Sequence, residues 1–182
     1  EVWKALLAEF DLQELHYNKD YEPFAIKRDV EITTLLHSKN IKNFGHKDQV
    51  IFEENEITKA DGLPYTIYTP FKNKWLEKYN SLKPVSNFDC KPFFENFYKC
   101  TNIFPEISKI GFTKSDIKVK PHNLTQIVNY HETRDFPAQD STSYLSPHLR
   151  FGTVSIRKLV SWADKKNAVF LSELIWREFF MQ

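Results

Sequence analysis

"ELHYNKDYEPFAIKRDVEITTLLH", residues 14–37, is the stretch whose reading decides the fold. Its first five residues, "ELHYN", have the composition of a short strand. Pro23 then opens a longer helical stretch in which Ala25, Val30, Ile32, Leu35 and Leu36 recur at helical spacing. Proline is tolerated there because a first-turn N–H has no partner within the helix. A strand running into a helix is the building unit of an α/β layer.

The surrounding sequence extends the pattern. Upstream, Val2, Leu6, Leu7 and Phe10 fall at helical spacing. Downstream, "QVIFEE" (49–54) and "YTIYT" (65–69) read as strands, the second rich in β-branched and aromatic residues. Thr69-Pro70 has the sequence of an N-cap followed by proline at the first helical position, opening "FKNKWLEKY". Residues 1–79 are therefore expected to form a partial, doubly wound α/β domain, incomplete at its N-terminal edge.

From Asn80 the periodicity dissolves. Residues 80–121 are rich in Pro, Ser, Asn and Lys, and a structureless stretch this long reads as an interdomain linker. Residues 122–182 then read as helical throughout. "NLTQIVNYHETRDFP" is expected as one segment, and Ser146-Pro147 as the cap of a short helix stopping at Gly152. Ser155 is expected to cap the next helix, with Ile156, Leu159, Val160 and Ala163 as its inner face; a closing helix begins near Asn167. The overall expectation is α/β followed by all-α.

Composition narrows the function. The chain is 41% hydrophobic and 27% charged, as soluble globular proteins are. No apolar run approaches the ~20 residues that span a bilayer. "EVWKALLAEF" lacks the marks of a secretion signal, and the absent initiating Met points to a trimmed or internal start. A net charge of +1 makes any nucleic-acid surface a local patch. The two cysteines, Cys90 and Cys100, match no zinc spacing, and no His pattern has ligand spacing, so no metal is expected. A reduced, cytoplasmic setting follows. With only 4 Gly, the chain has no glycine-rich phosphate loop.

Three constellations remain. "DSTSYLS" (140–146) packs four Ser and Thr hydroxyls into six positions ahead of a helix, which serves either as ordinary capping or as an anion site at a helix start. Tyr130 and Arg134 stand one helical turn apart, and present a ring and a cation either to one ligand or to solvent. In "FLSELIWREFFMQ" (170–182), Glu173, Trp176, Arg177 and Phe180 form one stripe, while Leu171, Leu174, Ile175 and Glu178 face elsewhere. That stripe is either an exposed Glu–Arg pair beside an indole or a ligand wall, the guanidinium for an anion and the indole for a flat ring.

Taken together, "RDFPAQDSTSYLSPHLRFGTVSIRKLV" and "FLSELIWREFF" resemble the DNA photolyase/cryptochrome family, on the pattern "TSxLSPxLxFGxxSxR" followed by "ELxWREF". "YEPFAIKRDVEI" and "YTIYTPFKNKWLEKY" are similar to the second half of that family's N-terminal Rossmann-like antenna domain. The resemblance covers nearly the whole chain and is closest to class I cyclobutane pyrimidine dimer photolyases. It implies that residues 122–182 are the first helices of a helical FAD-binding domain. It implies FAD contacts at Tyr130, Thr142, Ser143, Leu145, Ser146, Glu173 and Arg177. It also implies catalytic roles for Glu173 and Trp176, and DNA contacts at Trp176 and Arg177.

The implied activity is light-dependent repair, in which excited reduced flavin donates one electron to a flipped-out dimer. The alternatives are a cryptochrome-type blue-light receptor that binds FAD without repair, a (6-4) photolyase, or an inactive truncated product. The implied partner is DNA containing pyrimidine dimers, met by a monomer at the bacterial nucleoid. Phe24-Ala25 stands where folate-antenna members carry Asn-Glu, so a second antenna chromophore, if present, is of unknown identity. Because family members continue for a long helical stretch after Gln182, the fragment alone is expected to be inactive.

Overall fold

A computed structural model describes residues 1–82, 89–101 and 103–182. The chain divides into two units, one made of Glu1–Leu82 with His122–Gln182, the other of Lys83–Pro121. In chain order the first unit holds α1 (Val2–Glu9), β1 (Glu14–Asn18), α2 (Pro23–His37), β2 (Lys42–His46) and α3 (Tyr68–Ser81). After residue 121 come a 3₁₀ segment (Leu124–Asn129), α4 (Tyr130–Thr133), α5 (Leu145–Arg150), α6 (Ile156–Lys166) and α7 (Ala168–Phe179). The other unit carries two 3₁₀ segments, Lys91–Asn96 and Ile107–Ile110, and its Cys90 and Cys100 are free thiols.

β1 and β2 pair in parallel, with Glu14 opposite Lys42 and Asn18 opposite His46. Both strands alternate exposed and half-buried residues. Leu15 and Tyr17 line a cavity of about 270 Å³ with Trp3 of α1 and Arg28 and Ile32 of α2. Asn43 on β2 bonds Thr33 of α2 at 3.0 Å. Glu14, His16, Phe44 and His46 point to the opposite, solvent-facing side.

α1, β1 and α2 fall where the sequence places them. β2 has no counterpart in that reading, because "KNFGH" lacks the β-branched run that marks a strand. Two expected strands are absent. "QVIFEE" is a bend whose backbone bonds side chains instead of a neighbouring strand. The N–H groups of Ile51 and Phe52 donate to the Glu178 carboxylate at 2.8 and 2.9 Å. The carbonyls of Lys47, Asp48 and Gln49 accept from Arg157 and Arg177. With those groups occupied, no ladder can form there. "YTIYT" is likewise not a strand, since α3 already begins at Tyr68 with Ile67 as its N-cap. Pro70 is therefore the third helical residue, still within the first turn where an N–H lacks an intrahelical partner.

The C-terminal helices differ from expectation in detail. "NLTQIVNYHETRDFP" is broken into the 3₁₀ segment and the single turn of α4. Asn123, whose side chain accepts from the Thr125 N–H, caps the 3₁₀ segment. α5 starts at Leu145 after Tyr144 in the left-handed region (φ 54°), so Ser146 and Pro147 lie inside the helix rather than capping it. Gly152 (φ 65°) does provide the left-handed exit beyond the helix. Ser155 occupies the N-cap of α6 without a side-chain bond, and Ile156, Leu159, Val160 and Ala163 are buried as the spacing predicts.

α6 and α7 pack their apolar faces together with Phe52, Phe71 and Trp75 from the front of the chain. The same core takes in α3 and the loop before it, so α3, that loop and the final helices share one apolar interior, to which α1, β1, α2 and β2 contribute no buried member. Asn167 closes α6 and starts α7. Its side-chain oxygen accepts from the N–H groups of Val169 and Phe170 at 3.0 Å each, and its amide donates to the Val128 carbonyl.

Candidate cofactor and ligand site along α7

Three adjoining groups of side chains run along α7. At its start, Glu173 does not pair with Arg177; its carboxylate takes the Arg134 guanidinium at 2.8 Å. Arg134 also lies 5.3 Å from the ring centroid of Tyr130, and Tyr130 meets Phe170 edge-on at 5.1 Å. The Tyr130–Arg134 pairing read from i, i+4 spacing therefore exists, with Glu173 holding its cation. Burial pushes the Tyr130 phenol up, and the Glu173 charge pushes it further the same way.

Midway along the helix, the Trp176 indole lies face to face with Tyr68, centroids 3.6 Å apart and planes 10° apart. Phe180 stacks on it less closely, at 5.5 Å. Tyr68 is fixed by its hydroxyl, which donates to the Ser172 carbonyl at 2.7 Å. Burial raises the Tyr68 phenol, although its hydrogen bond with the Ser172 hydroxyl acts the other way.

At the C-terminal end, Arg177, Phe180 and Met181 border an open cleft of about 420 Å³ with Gln49, Ser146, Leu149, Arg150 and the turn Asp20–Pro23. Arg177 donates to the Gln49 carbonyl at 2.7 Å; burial lowers its affinity for the proton, and it remains a cation. Arg150 reaches Glu22 at 2.5 Å, which ties α5 to the start of α2.

The expected hydroxyl cluster is only partly gathered. Ser146 lines the cleft, whereas Leu145 is buried in the core at 3% exposure. Ser143 is half-buried and its carbonyl accepts from the Asn123 N–H; Thr142 is exposed. Phe24 is exposed and Ala25 buried at the start of α2. No group of three or more metal-ligating side chains occurs among the described residues, and no described helix is long and apolar enough to cross a membrane.

Sequence reasoning missed Glu178, the most consequential polar residue of α7. It is 2% exposed and accepts three hydrogen bonds, from Ile51 N, Phe52 N and the Trp75 indole (2.7 Å). Burial raises its carboxyl above the usual range, and the three donors pull back against that. The signal was its place on the stripe of Leu171, Leu174 and Ile175, which makes it a buried carboxylate by spacing alone.

A mixed α/β chain with a small parallel sheet, followed by helices that wall a cleft, is the class that this fold defines. The sequence model of the DNA photolyase family matches residues 1–90. A deoxyribodipyrimidine photo-lyase of Halobacterium salinarum is 26% identical over 206 residues, covering 100% of this chain and 43% of its own length. The solved class III photolyase of Agrobacterium tumefaciens superposes with a TM-score of 0.74 at 23% identity, over 99% of this chain and 42% of that one. An archaeal photolyase from Sulfolobus tokodaii, solved with two FAD molecules, gives 0.61 at 23% identity over 100% of this chain and 41% of its own. The chain belongs to the DNA photolyase family. It spans about two-fifths of the length of the relatives it matches.

Proposed function

We propose that the chain is part of a flavin-dependent photolyase that splits cyclobutane pyrimidine dimers in light, close to the class I enzymes in its "ELIWREF" segment. In this reading residues 1–79 belong to a doubly wound antenna domain, 80–121 to the linker and 122–182 to the start of the FAD-binding helical domain. The observation that carries it is α7, where Glu173, Trp176 and Arg177 lie beside Tyr130 at one end and Ser146 at the other.

The donor set fits a dinucleotide phosphate. Arg177 brings a guanidinium and Ser146 a hydroxyl to one cleft, where Arg150 must leave Glu22 to meet an anion, and the cleft's volume lies within the range of small-ligand sites. Phe180 gives that cleft an apolar wall. FAD, when bound and reduced, supplies the light-driven electron. The residues of this chain bind and orient. Arg177 and Ser146 hold phosphate oxygens, with Thr142 and Ser143 nearby in sequence. Tyr130, with Arg134 and Glu173, borders the nucleotide. Trp176 offers a flat surface to a flipped-out dimer in DNA.

The product of the complete reading frame, purified and illuminated with dimer-containing DNA, tests the reading. Flavin co-purification and loss of dimers in blue light but not in the dark are expected. Flavin without repair of any dimer moves the protein to the blue-light receptors, and repair of (6-4) lesions alone moves it to the (6-4) enzymes. Failure to retain flavin overturns the reading.

A further inference from the structure

On the open face of the sheet, away from α7 and its cleft, two imidazoles meet. His16 Nδ1 and His46 Nε2 stand 2.9 Å apart, with the rings inclined by only 10° and centroids 5.2 Å apart. They come from adjacent parallel strands at diagonal positions, since Asn18 pairs with His46 in the register. Such diagonal neighbours lie within reach of long side chains on one sheet face. His16 is also backed on its other side. Its Nε2 faces Glu14 Oε2 at 3.4 Å, its ring stacks on Phe44 at 4.8 Å, and Lys42 approaches Glu14 at 3.7 Å. Its side chain is 55% exposed, so solvent reaches the pair.

We infer that His16 and His46 form a surface chelate for a divalent transition-metal ion of the Cu²⁺ or Ni²⁺ kind. Three features support it. First, two nitrogen ligands at about 2.0–2.1 Å from an ion and at right angles to each other are about 2.9 Å apart, the separation seen here. Right-angled ligand pairs belong to square-planar and octahedral ions, and imidazole suits Cu²⁺ and Ni²⁺, with Cu²⁺ heading the affinity order. Second, Glu14 on Nε2 favours the His16 tautomer that carries its proton there, leaving the Nδ1 lone pair for the ion. This is the carboxylate–histidine–metal arrangement that orients ligands from behind. Third, both residues are anchored in paired strands, so little order is lost on binding.

Binding needs one rearrangement. In the metal-free pair one nitrogen donates its N–H to the other; on chelation the His46 proton moves to its own Nδ1 through solvent. The rings then turn about their Cβ–Cγ bonds so that both lone pairs converge. No third protein ligand joins them among the described residues, so water completes the shell.

An untagged, chelator-treated chain titrated with CuSO₄ near neutral pH tests this. Saturable binding at one ion per chain is expected, with an electron-paramagnetic-resonance pattern showing coupling to two imidazole nitrogens. His16→Ala and His46→Ala should each weaken binding by about tenfold or more, Glu14→Gln by about tenfold, and the distant His37→Ala not at all. Equal binding by the wild type and both histidine variants overturns the proposal, as does loss through only one of them. In the unmutated chain, substoichiometric Cu²⁺ should broaden the NMR signals of residues 14–18 and 42–46 before any others. Broadening centred elsewhere overturns the proposal independently of whether the variants fold.

Discussion

The indole N–H of Trp75 donates to Oε1 of Glu178 at 2.7 Å, across 103 residues of chain, and both side chains are buried. The same carboxylate takes the N–H groups of Ile51 and Phe52. One acidic residue at the end of α7 thus fixes the loop before α3, the face of α3 and its own helix. A buried carboxylate is tolerated only because all these donors converge on it.

Glu178→Ala should be among the most destabilising single changes in the chain. It leaves the Phe52 N–H and the Trp75 indole without an acceptor in a closed interior, at a cost of about 3–5 kcal/mol. Glu178→Gln keeps one acceptor oxygen but turns an NH₂ toward another donor, so a loss of about 1–3 kcal/mol is expected. Urea unfolding followed by Trp fluorescence measures both. Equal stability of the Ala variant and wild type would sink the role given to this carboxylate.

The contrast between Glu178 and Glu173 marks how far the sequence was legible. Spacing alone separated the two faces of α7 and the buried face of α6, because a helix repeats its pattern over several turns. β1 and α2 were legible for a similar reason, through local composition and the proline at position 23. The loop 49–54 was not. "QVIFEE" has strand composition, yet its backbone groups are taken by Glu178 and Arg177 from more than 100 residues away in the chain. No local signal carries that. The site behaves in the same way: the stripe on α7 could be read, but its partners Arg134, Tyr68 and Gln49 are set by tertiary packing.

Asn167 serves two helices at once, and substitution should separate its two roles. Asn167→Ala removes the cap on Val169 and Phe170 together with the bond to Val128, and a loss of about 2 kcal/mol is expected. Asn167→Ser keeps a capping oxygen and loses only the amide donor, so it should fall between wild type and Ala. Thermal unfolding of the three proteins gives the order. A stable Ala variant would mean that packing of α6 on α7 alone holds this corner.

Glu56 sets an acid dependence whose sign follows from its neighbours. Burial raises its carboxyl, but the Lys47 hydrogen bond, the Glu53 N–H and the charges of Lys47 and Lys78 outweigh that and hold it below its ordinary value of 4.5. A carboxyl depressed on folding contributes stability that is present above the unfolded-state value and is lost as pH falls through the folded-state value. Glu178, raised on folding by burial, has the opposite sign, and its share is lost as pH rises through its folded-state value. Unfolding free energies measured between about pH 3 and about pH 6 should therefore fall less steeply toward acid in Glu56→Gln than in wild type. An unchanged slope would show that the Lys47–Glu56 contact is screened out.

Trp176 is the residue on which the repair reading is most exposed to test. Its stacking on Tyr68 holds the indole flat, and Phe180 lies beyond it, so the ring is positioned by protein contacts before any ligand arrives. Arg177 points instead to the cleft with Ser146 and Arg150. The two neighbours should therefore separate when substituted in the product of the complete reading frame. Trp176→Ala should weaken binding to dimer-containing DNA by about tenfold or more, the worth of roughly one stacked base, while flavin content stays near that of wild type. Arg177→Ala should do the reverse, lowering the bound flavin measured by absorbance while leaving dimer affinity per flavin-loaded molecule largely intact. If Trp176→Ala instead loses flavin at full DNA affinity, the indole belongs to the cofactor, and the lesion-facing surface must be sought on the Tyr130–Arg134–Glu173 side of the helix.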